Sequence, residues 1–311
     1  MKVFVTGGAG FIGTTLVPKL LDAGHEVTVY DCLLHGGNPI LPFFRNKNFK
    51  FVRGDIRDGA ELKNAAAGHD LVIHLAAIVG FPACRMNPVL AKEVNVDGTI
   101  NVMNAVRDDV PILYGSTGSN YGTVTDICTE ESPLTPLSLY GETKTEAERL
   151  LMERGNAIAY RFATAFGIAP RMRLDLLVND FTNKCLRDGY LVVYEKHFMR
   201  TFIHVDDIAQ SFIFAINNLD KMRDNVYNVG ADCMNHSKEA VCNMIAEKTG
   251  AFIHFEEIGS DADKRNYVVS YEKIKKLGFA TNVKMQEGID EIIEALKVMD
   301  FQDAYINAKY F

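Results

Sequence analysis

The sequence predicts an α/β fold: a doubly wound parallel sheet followed by a smaller mixed α/β lobe. Three observations predict it. Apolar runs recur at Val3–Val5, Val27–Tyr30, Phe49–Val52, Leu71–Leu75, Ile112–Tyr114 and Ile158–Phe162, with amphipathic stretches between most of them. A glycine-rich turn, Thr6-Gly-Gly-Ala-Gly-Phe-Ile-Gly13, follows the first run directly. The informative residues Gly7, Asp31, Asp55, Ala76, Thr117 and Thr164 fall at strand ends, where such sheets bind their ligands.

The first run, Val3-Phe4-Val5, reads as a short buried strand, and a helix is expected from Phe11 to about Ala23. Gly7 permits the tight turn, Gly10 lets a phosphate approach the backbone, and Gly13 lets the helix pack close to the strand. Free N–H groups at the helix start, around Phe11 and Ile12, then face an anion. This arrangement suits a dinucleotide pyrophosphate. The second strand, Glu26–Tyr30, ends in Asp31, whose carboxylate is placed to accept hydrogen bonds from an adenosine ribose. It would repel a 2′-phosphate, so the cofactor expected is NAD, not NADP.

The strand and helix rhythm continues to about Ala163 and then breaks. We read residues 1–165 as the dinucleotide-binding domain and 166–311 as a substrate-binding lobe, with 200–217 returning to pack on the first. Within the second part, Gly167–Asp188 is irregular and then helical, carrying Arg171, Arg173, Asn179 and Arg187. A last helix is expected around Gln286–Met299.

Composition narrows the function. The net charge is −7 and no basic tract exists, which argues against a nucleic-acid partner. An anionic ligand must therefore be held by a few placed cations. Six cysteines are scattered without a CxxC pair, and the histidines show no metal-ligand spacing, so no metal is expected. The opening Met-Lys-Val-Phe-Val enters a core strand at once, and no apolar run approaches a membrane span. The expectation is a cytoplasmic protein with no membrane partner.

Chemistry is expected at Tyr140-Gly-Glu-Thr-Lys144, which opens a strongly helical stretch after Pro133 and Pro136. Four residues apart, Tyr140 and Lys144 share a helix face. An ammonium beside the phenol is expected to lower its pKa from the ordinary value of about 10. A phenolate can then take a proton from a sugar hydroxyl as hydride leaves the same carbon. By itself Y-x-x-x-K is a common pattern; the upstream glycine turn gives it weight.

These motifs together resemble the NAD-dependent epimerase/dehydratase family of extended short-chain dehydrogenases, nucleotide-sugar epimerases in particular, with a Rossmann fold. The resemblance rests on Gly7–Gly13, Asp31, Gly54-Asp55-Ile56, His74-Leu75-Ala76-Ala77, Asn95-Val-Asp-Gly98-Thr99, Ser116-Thr117 ahead of Tyr121-Gly122, Tyr140 with Lys144, and Arg200-Thr-Phe-Ile-His-Val-Asp-Asp207. It implies that Asp55 and Ile56 meet the adenine and that Leu75, Ala76 and Ala77 line the nicotinamide side. It implies that Asn95 stands behind the cofactor and that Lys144 also holds the nicotinamide ribose. Thr117, four residues before Tyr121, would be the third catalytic residue beside Tyr140 and Lys144. Arg200, Arg265 and Asn179 would meet the diphosphate of a nucleotide sugar.

Departures from the family pattern bear on the reaction. Dehydratases of the family carry Asp-Glu directly after the catalytic Thr; here Gly118 and Ser119 stand there. Without that pair an elimination lacks its proton carriers. The implied activity is NAD-dependent epimerisation of a nucleotide-activated hexose at C4, with a reductase, oxidase or decarboxylase on a related nucleotide sugar as the alternative. Family members commonly pair through helices corresponding to Pro88–Val106 and Gly141–Arg154, so a homodimer is expected, and sedimentation decides it.

Overall fold

A computed structural model describes residues 1–259, 265–301, 304, 305 and 307 of the chain. Seven parallel strands form the central sheet: β1 (Lys2–Thr6), β2 (Glu26–Asp31), β3 (Phe49–Arg53), β4 (Leu71–His74), β5 (Ile112–Thr117), β6 (Ala157–Phe162) and β7 (Asn225–Val229). Their order is β7-β6-β5-β4-β1-β2-β3, so the winding reverses between β1 and β4. That reversal opens a crevice at the carboxyl ends of the strands. Six strands fall where the apolar runs predict them. The seventh, Asn225–Val229, comes from the second half of the chain and pairs in register with β6, Val226 opposite Ala159.

Both faces of the sheet are buried at its centre, while the edge strand β3 is half-buried to exposed. Val3, Val5, Val29, Ile73, Leu113 and Ile158 point to one face. There they meet Leu16, Val17 and Leu20 of α1 (Phe11–Asp22) and Ile208, Phe212 and Ala215 of the Val205–Asn217 helix. Phe4, Tyr30, Val72, Ile112, Tyr114 and Ala159 point to the other face, against Val102 and against Ala147 and Leu151 of the Leu139–Arg154 helix. This alternation is the period-2 geometry of a strand. Ser138 caps the Leu139–Arg154 helix by accepting from Gly141 N–H, and Gly155, at φ 74°, ends it. The expected Pro88–Val106 helix runs without a break in helical backbone from Pro88 to Ala105, with a π-turn at Glu93–Asp97 between Pro88–Lys92 and Gly98–Ala105.

A separate apolar cluster forms in the second half, around Phe166, Val178, Leu191, Phe202, Val241, Ile245, Ile289 and Ile292. Three small sheets accompany it, and the third of them ties this part to the first. Thr164–Phe166 pairs with Met199–His204. Tyr190–Tyr194 pairs with Phe252–Glu256. Asn266–Val269 pairs with Thr123–Cys128. The last pairing sets Arg265, the residue before that strand, beside the end of β5. No helix among the described residues is long and apolar enough to cross a membrane.

Candidate active site

A cleft enclosing about 360 Å³ lies along the carboxyl ends of the strands. The glycine turn forms its floor. Gly7 has φ 73°, and a Cβ there would stand 2.5 Å from the Ala76 backbone nitrogen, so no other residue fits without displacing the chain. A Cβ at Gly13 would meet the Gly8 backbone at 2.5 Å. The turn therefore presents bare backbone at the start of α1, which has no side-chain cap of its own. Gly7, Gly10, Phe11, Ile12 and Gly13 all line the cleft.

Asp31 lines it as well. One carboxylate oxygen accepts from Ala9 N–H at 3.0 Å and the other from Leu33 N–H at 2.8 Å. Burial raises its pKa, and these backbone donors and the Arg171 charge oppose that rise. Asp55, Ile56, Leu75, Ala76 and Ala77 complete this half of the cleft. A bare glycine cradle at a helix start beside a held carboxylate is the donor set that a dinucleotide requires.

Thr117, Tyr140 and Lys144 line the other half. Thr117 ends β5; its hydroxyl accepts from Ser119 N–H and donates to Ser119 Oγ, each at 3.1 Å. It also shares a hydrogen bond with the Tyr140 hydroxyl. Arg265 donates from Nη1 to the same Ser119 Oγ. A chain of hydrogen bonds thus runs from the Tyr140 phenol through Thr117 and Ser119 to a guanidinium. Ser119 is a site residue that sequence reasoning treated only as a missing carboxylate.

The expected effect of Lys144 on Tyr140 is corrected by this geometry. Burial raises the Tyr140 phenol above its ordinary value; the Thr117 hydrogen bond and the charges of Arg173 and Arg265 pull it back. The Lys144 ammonium instead sits 4.0 Å from the centre of the Tyr114 ring. The lysine is only 2% exposed, and burial drives its pKa down to about 7, against an upward pull from Glu148. Helical spacing does place both residues on one face, but burial dominates the shift of each, opposed by neighbours other than the partner.

Behind this centre lies a buried ion pair. Arg161 Nη2 donates to Glu148 Oε1 at 2.6 Å, with both side chains under 10% exposed. Ser116 donates to the other Glu148 oxygen at 2.6 Å, and Asn120 reaches both. Arg161 also donates to the Tyr121 hydroxyl and to Glu130 O. Removing one partner strands a buried charge. Arg161→Met is therefore expected to cost about 3–5 kcal/mol of stability in urea unfolding. A cost under ~1 kcal/mol would contradict this account of the pair.

Three expected site residues stand outside the cleft. Asn95 spends its amide on Ile78, accepting from Ile78 N–H at 2.8 Å and donating to Ile78 O and to the Thr143 hydroxyl. It pins the backbone that carries Leu75–Ala77. Asn179 accepts from Gly167 N–H and donates to Gly167 O and Arg173 O, which fixes the loop between them. Arg200 is 1% exposed, stacks on Phe198 and donates to Met199 O. Cys84, fully buried, donates to Ile78 O; burial pushes its thiol up to about 12, so it is a packed thiol.

The model of the NAD dependent epimerase/dehydratase family matches residues 3–230. The chain belongs to that family. Membership makes it an enzyme and makes NAD its coenzyme. It is 29% identical to UDP-glucuronic acid decarboxylase 1 of Arabidopsis thaliana over 322 residues, covering 99% of this chain and 71% of that protein. It is 28% identical to a putative UDP-glucose 4-epimerase of Methanocaldococcus jannaschii, covering 95% of this chain and 98% of the other. The solved UDP-glucose 4-epimerase of Thermus thermophilus, in complex with NAD, is 28% identical. It superposes with a TM-score of 0.83 over 96% of this chain and 99% of that one.

Proposed function

We propose that this family member is a nucleotide-sugar epimerase that inverts C4 of a hexose. One observation carries the reading: the only carboxylates among the described residues of the cleft are Asp31 and Asp55, both in the adenosine half. Beside Tyr140 stand hydroxyls and cations, with Gly118 and Ser119 after Thr117. That centre can remove and return one proton but has no second acid for an elimination.

The glycine turn, Asp31, Asp55, Ile56, Leu75, Ala76 and Ala77 would hold the coenzyme, and Asn95 would act through Ile78. When bound, NAD supplies an acceptor that takes a hydride from the sugar carbon and gives it back. Tyr140 takes the proton of the C4 hydroxyl and later returns it. Thr117 orients that hydroxyl, relaying the Arg265 charge through Ser119. Lys144 holds the nicotinamide-side ribose. Arg265 supplies the cation for the substrate's anionic part; Asn179 and Arg200 support the loops around it.

A decarboxylase on a uronic-acid nucleotide would share the oxidation step, and the likeness to the Arabidopsis decarboxylase favours it as the second reading. NMR of the products separates the two. The enzyme, given UDP-glucose or UDP-glucuronic acid with no added coenzyme, is expected to release the C4 epimer. Carbon dioxide and a pentose product would instead establish the second reading.

A further inference from the structure

Arg171 lines the cleft yet is only 6% exposed, and its Nη2 has no hydrogen-bond partner. Its surroundings do not balance its charge. Arg173, a second cation, acts on it, and the carboxylate of Asp175, which opposes this, is taken by Arg173 through two hydrogen bonds. Asp31 also acts on it, but both Asp31 oxygens already accept backbone N–H groups. His35, held neutral by burial and by these two arginines, adds no anion. Burial and the Arg173 charge lower the Arg171 pKa to about 10. A buried guanidinium left this short of negative charge is costly unless a ligand supplies it.

Its position says which ligand. Arg171 N–H donates to the Thr14 hydroxyl at 3.3 Å, so the residue is fastened to the first turn of α1, where the glycine turn opens. The loop that carries it is held from behind: Leu174 N–H donates to Ala304 O at 2.9 Å, and Met172, Leu174 and Ala304 pack together. The backbone of Arg171 is thus held at the amino end of a helix, and its side chain lines the same cleft as Asp31, whose charge acts on it.

We infer that Arg171 is a coenzyme-binding residue, contributed from beyond the central sheet, whose guanidinium takes the pyrophosphate of NAD at the start of α1. This rests on the coenzyme lying along the glycine turn as proposed above. A fork of two N–H donors suits phosphate oxygens. The residue stabilises the loaded protein and burdens the ligand-free one.

The test uses ligand-free Arg171→Met and Arg171→Lys proteins, titrated with NAD and separately with UDP by calorimetry, and melted without ligand. Arg171→Met is expected to bind NAD about 10- to 100-fold more weakly. Its UDP affinity is expected to stay within about twofold, and its ligand-free melting midpoint to equal or exceed that of the parent. Arg171→Lys is expected to fall between the two. Unchanged NAD affinity in Arg171→Met overturns the inference, as does weakened UDP binding with NAD unaffected. Failure of Arg171→Met to fold overturns it too, because the guanidinium would then be a structural group. If the parent protein itself binds no NAD, the coenzyme placement falls instead.

Discussion

Tyr140→Phe is expected to lower turnover by about 10³-fold or more, while NAD stays bound and the fold stays intact. The phenol is the group proposed to exchange a proton with a sugar hydroxyl, and it lines the cleft. Its hydroxyl hydrogen-bonds to Thr117, which keeps Ser119 as a partner when the hydroxyl is removed. Stability should therefore change by less than about 1 kcal/mol. The measurement is kcat beside a coenzyme titration and a melting curve of the same preparation. Turnover within tenfold of the parent would remove Tyr140 from the mechanism. A loss of activity that tracks lost coenzyme would make the residue a binding group only.

Lys144→Met is expected to split activity from stability. Turnover should fall by roughly 10²–10⁴-fold, because the ribose contact proposed for Lys144 is lost. The ligand-free protein should gain stability, by about 1–4 kcal/mol, because a buried ammonium is replaced by an apolar side chain of similar length. The pH dependence has a definite sign. Folding lowers the Lys144 pKa to about 7, whereas the unfolded chain keeps its proton to about 10.4. Between those values the unfolded state binds more protons, so stability rises with pH. The destabilisation is fully present below pH 7 and is relieved as pH climbs toward 10. Subtracting the Lys144→Met curve from the parent curve isolates this slope. A flat difference between pH 7 and 10 would show that the lysine is not desolvated as the geometry requires.

Much of this architecture was legible before any coordinates. Glycines at 7, 10 and 13 mark a tight turn and a close helix–strand packing where a strand meets a helix, and Asp31 follows at the tip of the next strand. Six strands announce themselves as mainly apolar runs, although the edge strand Phe49–Arg53 is only half-buried to exposed. The seventh, Asn225–Val229, hides because it carries two asparagines. Asn228 is buried with its side chain accepting from the Tyr121 hydroxyl and donating to Ser270 O, so a polar residue does a core residue's job.

The cleft was legible where motifs are local and opaque where contacts are distant. Thr117, Tyr140 and Lys144 line the same cleft. Arg265 reaches Ser119 across 146 positions, through a strand pairing that no periodicity reveals. The amide of Asn95 offered no sign that Ile78 would consume it. The balance between burial and charge at Lys144 likewise depends on Tyr114 and Glu148 packing around it, which helical spacing alone does not encode. Arg171 stood in an irregular segment whose anchor, Thr14, lies 157 residues earlier.

The central claim is a redox-neutral inversion run by one phenol in a cleft that keeps its coenzyme. The most direct measurement supplies UDP-glucose deuterated at C4 to the purified enzyme, with unlabelled NAD and NADH in solution. The account predicts an epimer that retains the deuterium at C4 and no label in the free nucleotide. Deuterium appearing in the free nucleotide pool, or a product whose oxidation state has changed, would contradict it.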